Sequence, residues 1–375
     1  MSRIDELIER LCPDGVEYKA LGEIASYVKQ RISSEEIESG SYVGVNELLQ
    51  DYRGRSSEVH IPAEDKCVGY EPGDVLLGNI RPYLKKMWLA DCSGGTNGDV
   101  LVIRVNDSSV VSPKFLWQVL AGGVFTEYNI SHSKGAKMPR GDKKAILEFR
   151  IPVPPIEVQE EIVRVLDSFA ELEAELEAEL EARKAQYAFY RNRLLTEECE
   201  MSQRKTLGSL CKKISSGKNK SRQQEGEFPV YGSTGEIAKT DTPAYEGFRI
   251  LVARVGANAG FVNAVEGKFD VSDNTLIVEL DEGLDQRFAY HLLVNENLNQ
   301  YAKGGGQPLI TASQLKSLDV TVPPIERQRE IAELLDEFES LVNNASIGLP
   351  AEVQARRKQY AYYRDRLLAF KEKKA

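Results

Sequence analysis

The sequence contains few of the residue patterns that mark enzymes and metalloproteins. Its three histidines form no H-E-x-x-H or Cys/His metal-binding pattern. A G-x-S-x-G turn is absent, and Gly217-Lys218 lacks the earlier glycine of a phosphate-binding loop, because Lys212 stands in its place. There is also no N-P-P-Y or D-P-P-Y box of the kind that adenine methyltransferases carry. We therefore expect no catalytic residue, no metal site and no cofactor bound by this chain.

Cysteine and long apolar runs are also scarce. The five cysteines include no C-x-x-C pair, which argues against a zinc ribbon and against a disulfide framework. No apolar stretch approaches the roughly 20 residues of a membrane span, and charged residues occupy the first positions, where a secretory signal needs an apolar run. These absences predict a cytoplasmic protein with reduced, mostly structural thiols.

Negative charge is unevenly distributed. The 375 residues are enough for two or three domains, and the net charge of −10 by itself argues against a nucleic-acid partner. However, residues 156–182 hold ten acidic residues and one basic residue, and residues 325–355 hold seven and two. The rest of the chain is therefore net positive by four charges. The acidity belongs to two segments, and it does not exclude DNA binding elsewhere.

An internal repeat organises the chain. The motif V-P-P-I-E-x-Q occurs at residues 153–159 and again at residues 322–328. A second block, RKAQYAFYRNRLL at residues 183–195, returns as RRKQYAYYRDRLL at residues 356–368, with nine of 13 positions identical. Weaker similarities connect the intervening segments. The repeat predicts the order domain, helix, domain, helix.

Each globular copy has the pattern of an α+β domain, that is, of a mixed α/β fold. Short Val, Ile and Leu runs bounded by Gly, Asn and Asp predict strands, and residues 112–121 and 285–296 predict helices between them. The copies share this arrangement but differ in their loops. Such a pair is typical of two related tasks performed on two different targets.

The segments after the two Pro-Pro pairs predict long helices. Apolar residues recur at steps of three, four and seven over residues 156–195, which predicts a rod of roughly 60 Å with one buried stripe. Within it, residues 170–182 repeat A-E-L-E, and the glutamates are expected to form a solvated face. The second helix should break near residues 343–350, where Asn, Gly and Pro occur, before it resumes.

The duplicated Tyr/Arg blocks allow two interpretations. Aromatic residues at helical spacing usually form a buried core. The same residue types are enriched at protein interfaces, so these helix ends are also candidates for docking another subunit. The partner-docking candidates are Tyr187, Tyr190, Arg191, Arg193, Tyr360, Tyr363, Arg364 and Arg366.

Positive charge gathers in predicted loops of both globular copies. Clusters of this size are usually solvated surface, but their occurrence at comparable places, as for Lys134 and Lys303, favours contact with DNA phosphates. The DNA-binding candidates are Arg81, Lys85, Lys86, Lys134, Lys137, Arg140, Lys212, Lys213, Lys218, Lys220, Arg254, Asn258, Lys303 and Gln307.

Three motifs together point to a known family. They are L-C-P-D-G-V-E-Y-K followed by L-G at residues 11–22, both V-P-P-I-E-x-Q-x-x-I starts, and both R-x-x-Q-Y-x-x-Y-R-x-R-L-L ends. In this combination, over essentially its full length, the chain resembles the specificity subunits of type I restriction-modification systems. The A-E-L-E repeat is similar to a short repeat in the connecting helix of some members, where its copy number is related to the length of the DNA spacer.

The resemblance implies a fold and a set of partners. Two target-recognition domains would each read one half of an asymmetric bipartite site in double-stranded DNA, separated by two long antiparallel helices that form a coiled coil. Two methyltransferase subunits would bind S-adenosylmethionine and methylate adenine N6, and restriction subunits, the motor-nucleases, would use ATP and Mg. The catalytic residues would lie on these partners, in agreement with the absence of catalytic motifs here.

The repeat and the resemblance together predict five segments. We expect an N-terminal helical segment at 1–20, recognition domains at 21–152 and 201–321, and spacer helices at 153–200 and 322–375. From the residues alone, two alternatives remain open. One is a coiled-coil scaffold that binds two protein ligands, and the other is an unrecognised enzyme with a duplicated site.

Overall fold

The structure, a computed structural model, falls into two units. The first unit comprises Met1–Glu175 and Val353–Ala375, and the second comprises Leu176–Glu352. His60 and Cys199 lie outside the described residues, and no disulfide joins any two of the four described cysteines. No helix in the described ranges is long and apolar enough to cross a membrane. Those ranges are 3–56, 65–196, 201–220, 223–304, 306–344 and 348–374.

Short strands and short helices build the first unit up to its long helix. The helices are α1 (Arg3–Leu11), α2 (Leu21–Ile24), α3 (Pro113–Leu120), α4 (Gly123–Ser131) and α5 (Lys143–Glu148). The strands are β1 (Glu17–Ala20), β2 (Ala25–Tyr27), β3 (Arg31–Ser33), β4 (Lys66–Tyr70), β5 (Val75–Gly78), β6 (Met87–Leu89), β7 (Gly94–Thr96), β8 (Val100–Val105) and β9 (Arg150–Val153).

The central sheet of the first unit is buried on both faces. It is antiparallel with the strand order β2-β8-β5-β6. Because successive side chains of a strand point to opposite faces, Val75 and Leu77 pack into one hydrophobic cluster with Phe115 of α3, and Leu76 packs into another with Trp88. A sheet of order β3-β4-β7 and the pair β1-β9 complete the unit.

The second unit contains its own strands and helices, and a long helix leads into it. The helices are α6 (Ile156–Thr196), α7 (Gln286–Asn295), α8 (Ala312–Lys316), α9 (Ile325–Asn343) and, returning to the first unit, α10 (Leu349–Leu367). The strands are β10 (Gln203–Thr206), β11 (Cys211–Ser216), β12 (Phe228–Gly232), β13 (Gly235–Thr240), β14 (Tyr245–Glu246), β15 (Arg249–Ala253), β16 (Val262–Val265), β17 (Lys268–Val271), β18 (Thr275–Leu280) and β19 (Asp319–Val322).

The two units share a frame and differ around it, as the sequence predicts. The sheet β11-β18-β15-β16 repeats the order β2-β8-β5-β6, and the pair β10-β19 repeats β1-β9. The remaining sheet differs, because β13-β12-β17-β14 has four strands and includes a parallel pair, β12 and β17. The predicted helices near 112–121 and 285–296 are confirmed as α3 and α7.

The glutamine of the duplicated V-P-P-I-E-x-Q motif ties each long helix to a neighbouring helix start. Gln159 is fully buried, and its Nε2 donates to two backbone carbonyls at 2.7 and 2.8 Å while its Oε1 accepts from the amide of Ser112, the N-cap of α3, at 2.9 Å. Gln328 repeats this contact with the amide of Asp285, the N-cap of α7, at 2.8 Å. The motif recurs because both units need this buried connection.

Replacing this glutamine should destabilise only the unit that contains it. Gln159→Ala leaves one buried and two partly buried backbone groups without this partner, and we expect a loss of about 3 kcal/mol in the free energy of unfolding of the first unit. Gln328→Ala should do the same to the second unit. Chemical unfolding checks this, with Glu160→Ala on the exposed side of the same turn as a control that stays within about 0.5 kcal/mol of wild type. Equal effects of Gln159→Ala and Glu160→Ala would contradict the assignment.

The long helices have the continuity that the sequence predicts. Helix α6 runs through 41 residues without a break, which corresponds to roughly 60 Å. The second segment is interrupted, because α9 ends at Asn343 and α10 begins at Leu349. The backbone near the break accepts only glycine at position 348, since an added Cβ at Gly348 would lie 2.6 Å from the carbonyl oxygen of Leu341. The predicted break is therefore confirmed.

Helices α6 and α10 pack antiparallel in the first unit. Arg357 of α10 contacts Glu173 of α6 with 2.8 Å between Nε and Oε1. Later in α10, Tyr363 stacks on Phe169, which lies earlier in α6, with ring centroids 5.3 Å apart. Aromatic stacking thus holds α6 and α10 together.

Residues near position 16 pair with residues near position 370 in the first unit. The amide of Val16 donates to the carbonyl of Lys371 at 2.8 Å, and the amide of Lys373 donates back to Val16 at 2.9 Å. The Tyr18 hydroxyl donates to the carbonyl of Phe370 at 3.1 Å. Four side chains of α10 and the segment after it pack on the first unit's core, namely Tyr360, Leu367, Leu368 and Phe370.

Candidate nucleic-acid interface

Two basic loops of the first unit are joined by their backbones. Residues 79–85, here called the frame loop, follow β5, and residues 134–141, the hairpin loop, follow α4. The amide of Arg81 donates to the carbonyl of Pro139 at 2.7 Å, and the hairpin loop closes on itself through two backbone hydrogen bonds of 2.8 Å each. Candidates that lie about 55 residues apart in the sequence therefore share one surface.

The second unit has the same two loops in the same arrangement. Its frame loop comprises residues 254–260, and its hairpin loop comprises residues 303–310, of which residue 305 is not described. The amide of Gly256 donates to the carbonyl of Pro308 at 3.0 Å, and this bond corresponds to the bond between Arg81 and Pro139. The shared scaffold carries different side chains in the two units.

The first frame loop is held in a strained conformation. Arg81 and Lys85 have φ of 53° and 52°, and Asp51 and Tyr52 beside them have φ of 56° and 60°. The amide of Tyr52 donates to the carbonyl of Lys85 at 2.9 Å, so the surroundings fix this geometry. A residue with a side chain costs about 1 kcal/mol or more in this left-handed region, and such strain gathers at functional loops.

Two of the basic candidates in the hairpin loop are already neutralised within the unit. Lys134 forms an ion pair with Asp142, and Arg140 contacts Asp99 at 2.9 Å. The hydrogen bonds from Lys134 and from two backbone amides hold the pKa of Asp142 at about 2, so this carboxylate stays ionised. These two cations are less available to phosphate than their sequence positions suggest.

The remaining candidates of the first unit divide by exposure. Lys86 points inward and donates to the carbonyl of Val45 at 2.7 Å, and burial lowers the pKa of its ammonium group. Arg81 and Lys137 are exposed, Lys85 is half-buried, and none of the three forms an ion pair with another described residue. Arg81, Lys85 and Lys137 are therefore the cations that this surface offers.

The predicted loop position of Lys212 and Lys213 is wrong. Both lie on strand β11, and a bulge there lets two consecutive side chains face solvent. They pair with the end of β18 near Leu280, whereas the frame loop begins beside the other end, at Thr275. Since strands rise about 3.3 Å per residue, these lysines lie more than about 10 Å along the sheet from the frame loop.

The other basic candidates of the second unit approach the frame loop. The amide of Asn219, between Lys218 and Lys220, donates to the carbonyl of Val271 at 3.0 Å, and the amide of Arg254 donates to Asn274 at 2.9 Å. Segments 217–220 and 271–275 thus run beside the loop end of the sheet. Exposed candidates at this end are Lys218, Lys220, Asn258, Lys303 and Gln307, with Arg254 half-buried.

Half of the partner-docking candidates pack inside their own unit. Tyr187 is buried, and Arg191 lies over its ring at 5.0 Å from the centroid. The equivalent pair repeats this contact at 5.4 Å, with Arg364 buried over Tyr360. These four residues therefore pack within their unit, as the core interpretation predicts.

The outer side of the same blocks is exposed, and it contains residues that the sequence analysis missed. Phe189 and Tyr362 occupy equivalent positions and are 61% and 60% exposed. Each meets the following tyrosine edge-on, at 5.5 Å for Phe189 and 5.4 Å for Tyr362. The signal that could have found them is an aromatic residue at the same position of both blocks, outside the apolar stripe. The exposed Arg193 and Arg366 follow one turn later.

The remaining candidates, Tyr190 and Tyr363, are half-buried between helices. Tyr190 stacks on Phe338 of α9 with centroids 6.1 Å apart, and this repeats the stack of Tyr363 on Phe169. In each unit the ring packs between two helices, α6 and α9 for Tyr190 and α6 and α10 for Tyr363. Docking through the blocks therefore stays a prediction, and its best carriers are the exposed aromatic and arginine side chains.

A buried histidine connects three helices of the second unit. His291 of α7 lies 2.7 Å from Asp336 of α9 through Nε2 and 3.3 Å from the hydroxyl of Tyr187 through Nδ1. Asp336, Glu339 and His291 are close enough to present three ligand atoms to a metal ion. Arg191 lies near the same group, and burial lowers the pKa of the imidazole, so a neutral imidazole hydrogen-bonded to Asp336 and Tyr187 accounts for the arrangement. The spacing of these residues gave no sequence signal.

Comparison with known proteins places the chain among restriction-modification proteins. The family model for the type I restriction modification DNA specificity domain matches residues 13–182 and 200–355. The chain is 37% identical over 219 residues to the type I restriction enzyme EcoprrI specificity subunit of Escherichia coli; the match covers 54% of this chain and 55% of that one. It is 28% identical to a putative type I restriction enzyme specificity subunit of Haemophilus influenzae, over 95% and 96% of the two chains.

Solved structures share the fold. A chain from a structure on complex assembly and conformational transition of the type I R-M system matches with a TM-score of 0.67 at 17% identity, over 94% of this chain and 97% of that one. The crystal structure of a type I restriction-modification S subunit from M. genitalium matches with a TM-score of 0.57 at 15% identity, over 94% and 96%. Because the family model matches both repeats, this chain belongs to the type I restriction-modification DNA specificity family.

Proposed function

We propose that this chain gives a type I restriction-modification complex its DNA sequence specificity and does not itself catalyse the reaction. Each unit reads one half of an asymmetric bipartite target in double-stranded DNA, and the long helices, of which α6 is the uninterrupted one, set the spacer between the halves. The observation that carries this proposal is the common frame-loop and hairpin-loop scaffold of the two units, which presents different side chains.

The differences between the loops favour an asymmetric target. Arg81 corresponds to Gly256 in the shared backbone pattern, and Met138 corresponds to Gln307. Cations of the loops would hold phosphates, while Asn, Gln and Arg side chains would contact base edges. Two unlike sets of side chains on one scaffold would read two unlike sequences.

The partners of the chain would supply the catalysis. Two methyltransferase subunits would dock on the outer side of the Tyr/Arg blocks and supply S-adenosylmethionine and the catalytic residues. Restriction subunits would supply ATP, Mg and nuclease chemistry. The chain itself would bind no cofactor, and the coiled-coil scaffold with two protein ligands remains the second candidate.

Mapping methylated adenines in cells that express this chain with its methyltransferase subunit tests the proposal. We expect one bipartite motif with two different halves and a fixed spacer. The scaffold alternative predicts no motif that depends on this chain. Methylation of DNA by the purified chain with S-adenosylmethionine alone would instead support the enzyme alternative.

Removing two unpaired cations should weaken DNA binding by its electrostatic component. For the double variant Arg81→Ala with Lys137→Ala we expect an affinity about 100-fold lower at about 0.1 M salt, and a slope of log K against log salt that is smaller by about 2. Fluorescence anisotropy with the target duplex and the methyltransferase subunit measures both quantities.

Lys212→Ala with Lys213→Ala is the matched control, because it removes the same charge from the far end of the second unit's sheet. We expect it to leave the salt slope unchanged. A change in slope as large as that of the Arg81 and Lys137 variant would contradict the assignment of the interface to the two loops.

Each of the two exposed aromatic side chains should support the docking of one methyltransferase subunit. Phe189→Ala and Tyr362→Ala should each remove one of two methyltransferase subunits, with affinity at that site falling about 30-fold, and the double variant should lose both. Native mass spectrometry gives the stoichiometry. Leu341→Ala, an exposed apolar side chain of α9, serves as the control and should retain two copies. Full stoichiometry in the double variant would place docking elsewhere.

A further inference from the structure

One exposed aromatic ring lies in the first frame loop, and another lies at the end of the second. Tyr83 lies in the middle of the first frame loop and is 51% exposed, and Phe261 directly follows the second and is 61% exposed. Among the described residues neither ring has a stacking partner, and the Tyr83 hydroxyl has no hydrogen bond. The two loops have the same length, because Gly78 donates to Lys86 at 2.9 Å and Ala253 donates to Phe261 at 2.8 Å.

Both rings are mounted on rigid backbone. Tyr83 occupies the 3-10 turn Pro82–Leu84, in which Pro82 is buried and its carbonyl accepts from the Lys85 amide at 3.0 Å. The Phe261 amide donates to the carbonyl of Asn258 at 2.8 Å, and Ala259 between them is fully buried. The loops therefore hold both rings in exposed positions. Because the backbone is already fixed, binding would cost little additional conformational entropy.

The charge around the rings indicates what they would meet. Arg81 and Lys85 flank Tyr83 at two positions on either side, and both are cations without an ion pair among the described residues. Arg254 and Asn258 of the second frame loop precede Phe261, and the side-chain amide of Asn258 donates to the carbonyl of Ser233 at 3.2 Å. A cation suits a phosphate, whereas a flat apolar ring with no polar partner suits the faces of stacked bases.

We propose that Tyr83 and Phe261 each insert between neighbouring base pairs, one in each half of the target, and unstack the DNA at that step. The proposal rests on the proposed function, since it assumes that the two loops face DNA. Inserted side chains of this kind kink a duplex and thereby increase its contact with the protein. The rings would thus act as positioning residues for the phosphate and base contacts beside them.

The test uses the complex of the full chain with its methyltransferase subunit and the mapped target duplex carrying 2-aminopurine at successive positions. Sequence-specific binding by the wild type is measured first, and its absence counts against the proposed function, not against insertion. With binding established, we expect 2-aminopurine fluorescence to rise several-fold at one step of each half-site beyond the methylated adenine.

The variants assign each signal to a ring. Tyr83→Ala should abolish the signal in one half-site only and weaken binding about 10-fold, whereas Tyr83→Phe should retain both. Phe261→Ala should do so for the other half-site, with Phe261→Trp retaining the signal. Val110→Ala and Met201→Ala remove exposed apolar side chains away from the loops and should change nothing. Wild-type complexes without a fluorescence rise, or signals that survive both alanine variants, would overturn the proposal.

Discussion

Deleting residues 174–177 is expected to change the spacer of the methylated target while both half-sites remain the same. The deletion removes one A-E-L-E tetrad and shortens α6 by about 6 Å, which corresponds to about one to two base pairs of DNA. Methylation of the original target should fall about 100-fold or more, because a shifted half-site loses several base contacts worth about 1–3 kcal/mol each. Methylated-adenine mapping identifies the new spacer.

None of the deleted residues belongs to the buried core of either unit. Ala174 and Glu175 are exposed, Leu176 is half-buried, and the boundary between the units falls between Glu175 and Leu176. Replacing residues 174–177 by four alanines keeps the helix length and should keep the spacer. A deletion variant that methylates different half-site sequences would refute the role of α6 in setting the spacer.

Exchanging residues 208–320 for the corresponding segment of another family member should replace one half of the target and leave the other half unchanged. The segment contains β11 to β18 and both loops of the second unit, so every proposed base contact of that unit moves with it. Methylation of the original target should become undetectable, and a hybrid motif should appear. The same mapping experiment reads out both.

Two contacts that join the exchanged segment to α9 must be kept in the hybrid chain. Asp285 and His291 lie inside the exchanged segment, and their partners Gln328 and Asp336 lie outside it on α9. Donor segments should therefore retain an N-cap residue and a histidine at these positions. Exchanging the helical residues 176–195 instead is the control, and it should leave both half-sites unchanged. A change in both half-sites after the loop-bearing exchange would contradict the division of recognition between units.

Local patterns predicted the elements of this fold well. Three local signals each affect only the backbone within a few residues. They are the Pro-Pro pairs, the apolar spacing of α6, and the Asn, Gly and Pro residues near position 348. The long helices begin and break where these signals predict. The repeat predicted the common frame. Neither required knowledge of which strands pair.

The site depends on contacts between distant residues, and here the sequence was insufficient. The positive charge at Lys134 and Arg140 looked available until the structure placed Asp142 and Asp99 beside them. Lys212 appeared to lie in a loop because lysines interrupt the apolar pattern, yet a bulge in β11 accommodates it. Periodicity could not show that Phe189 is exposed while Tyr187, two residues earlier, is buried.

The pairing of Val16 with Lys371 has a consequence for biosynthesis. The second unit is contiguous, Leu176–Glu352, so a ribosome releases all of it before the first unit receives Val353–Ala375. The unit that is translated first is thus the last to be completed, because Leu367, Leu368 and Phe370 pack against its core. A chain that ended at residue 352 would contain the whole second unit but would lack these side chains of the first, which leaves apolar surface that a chaperone could bind.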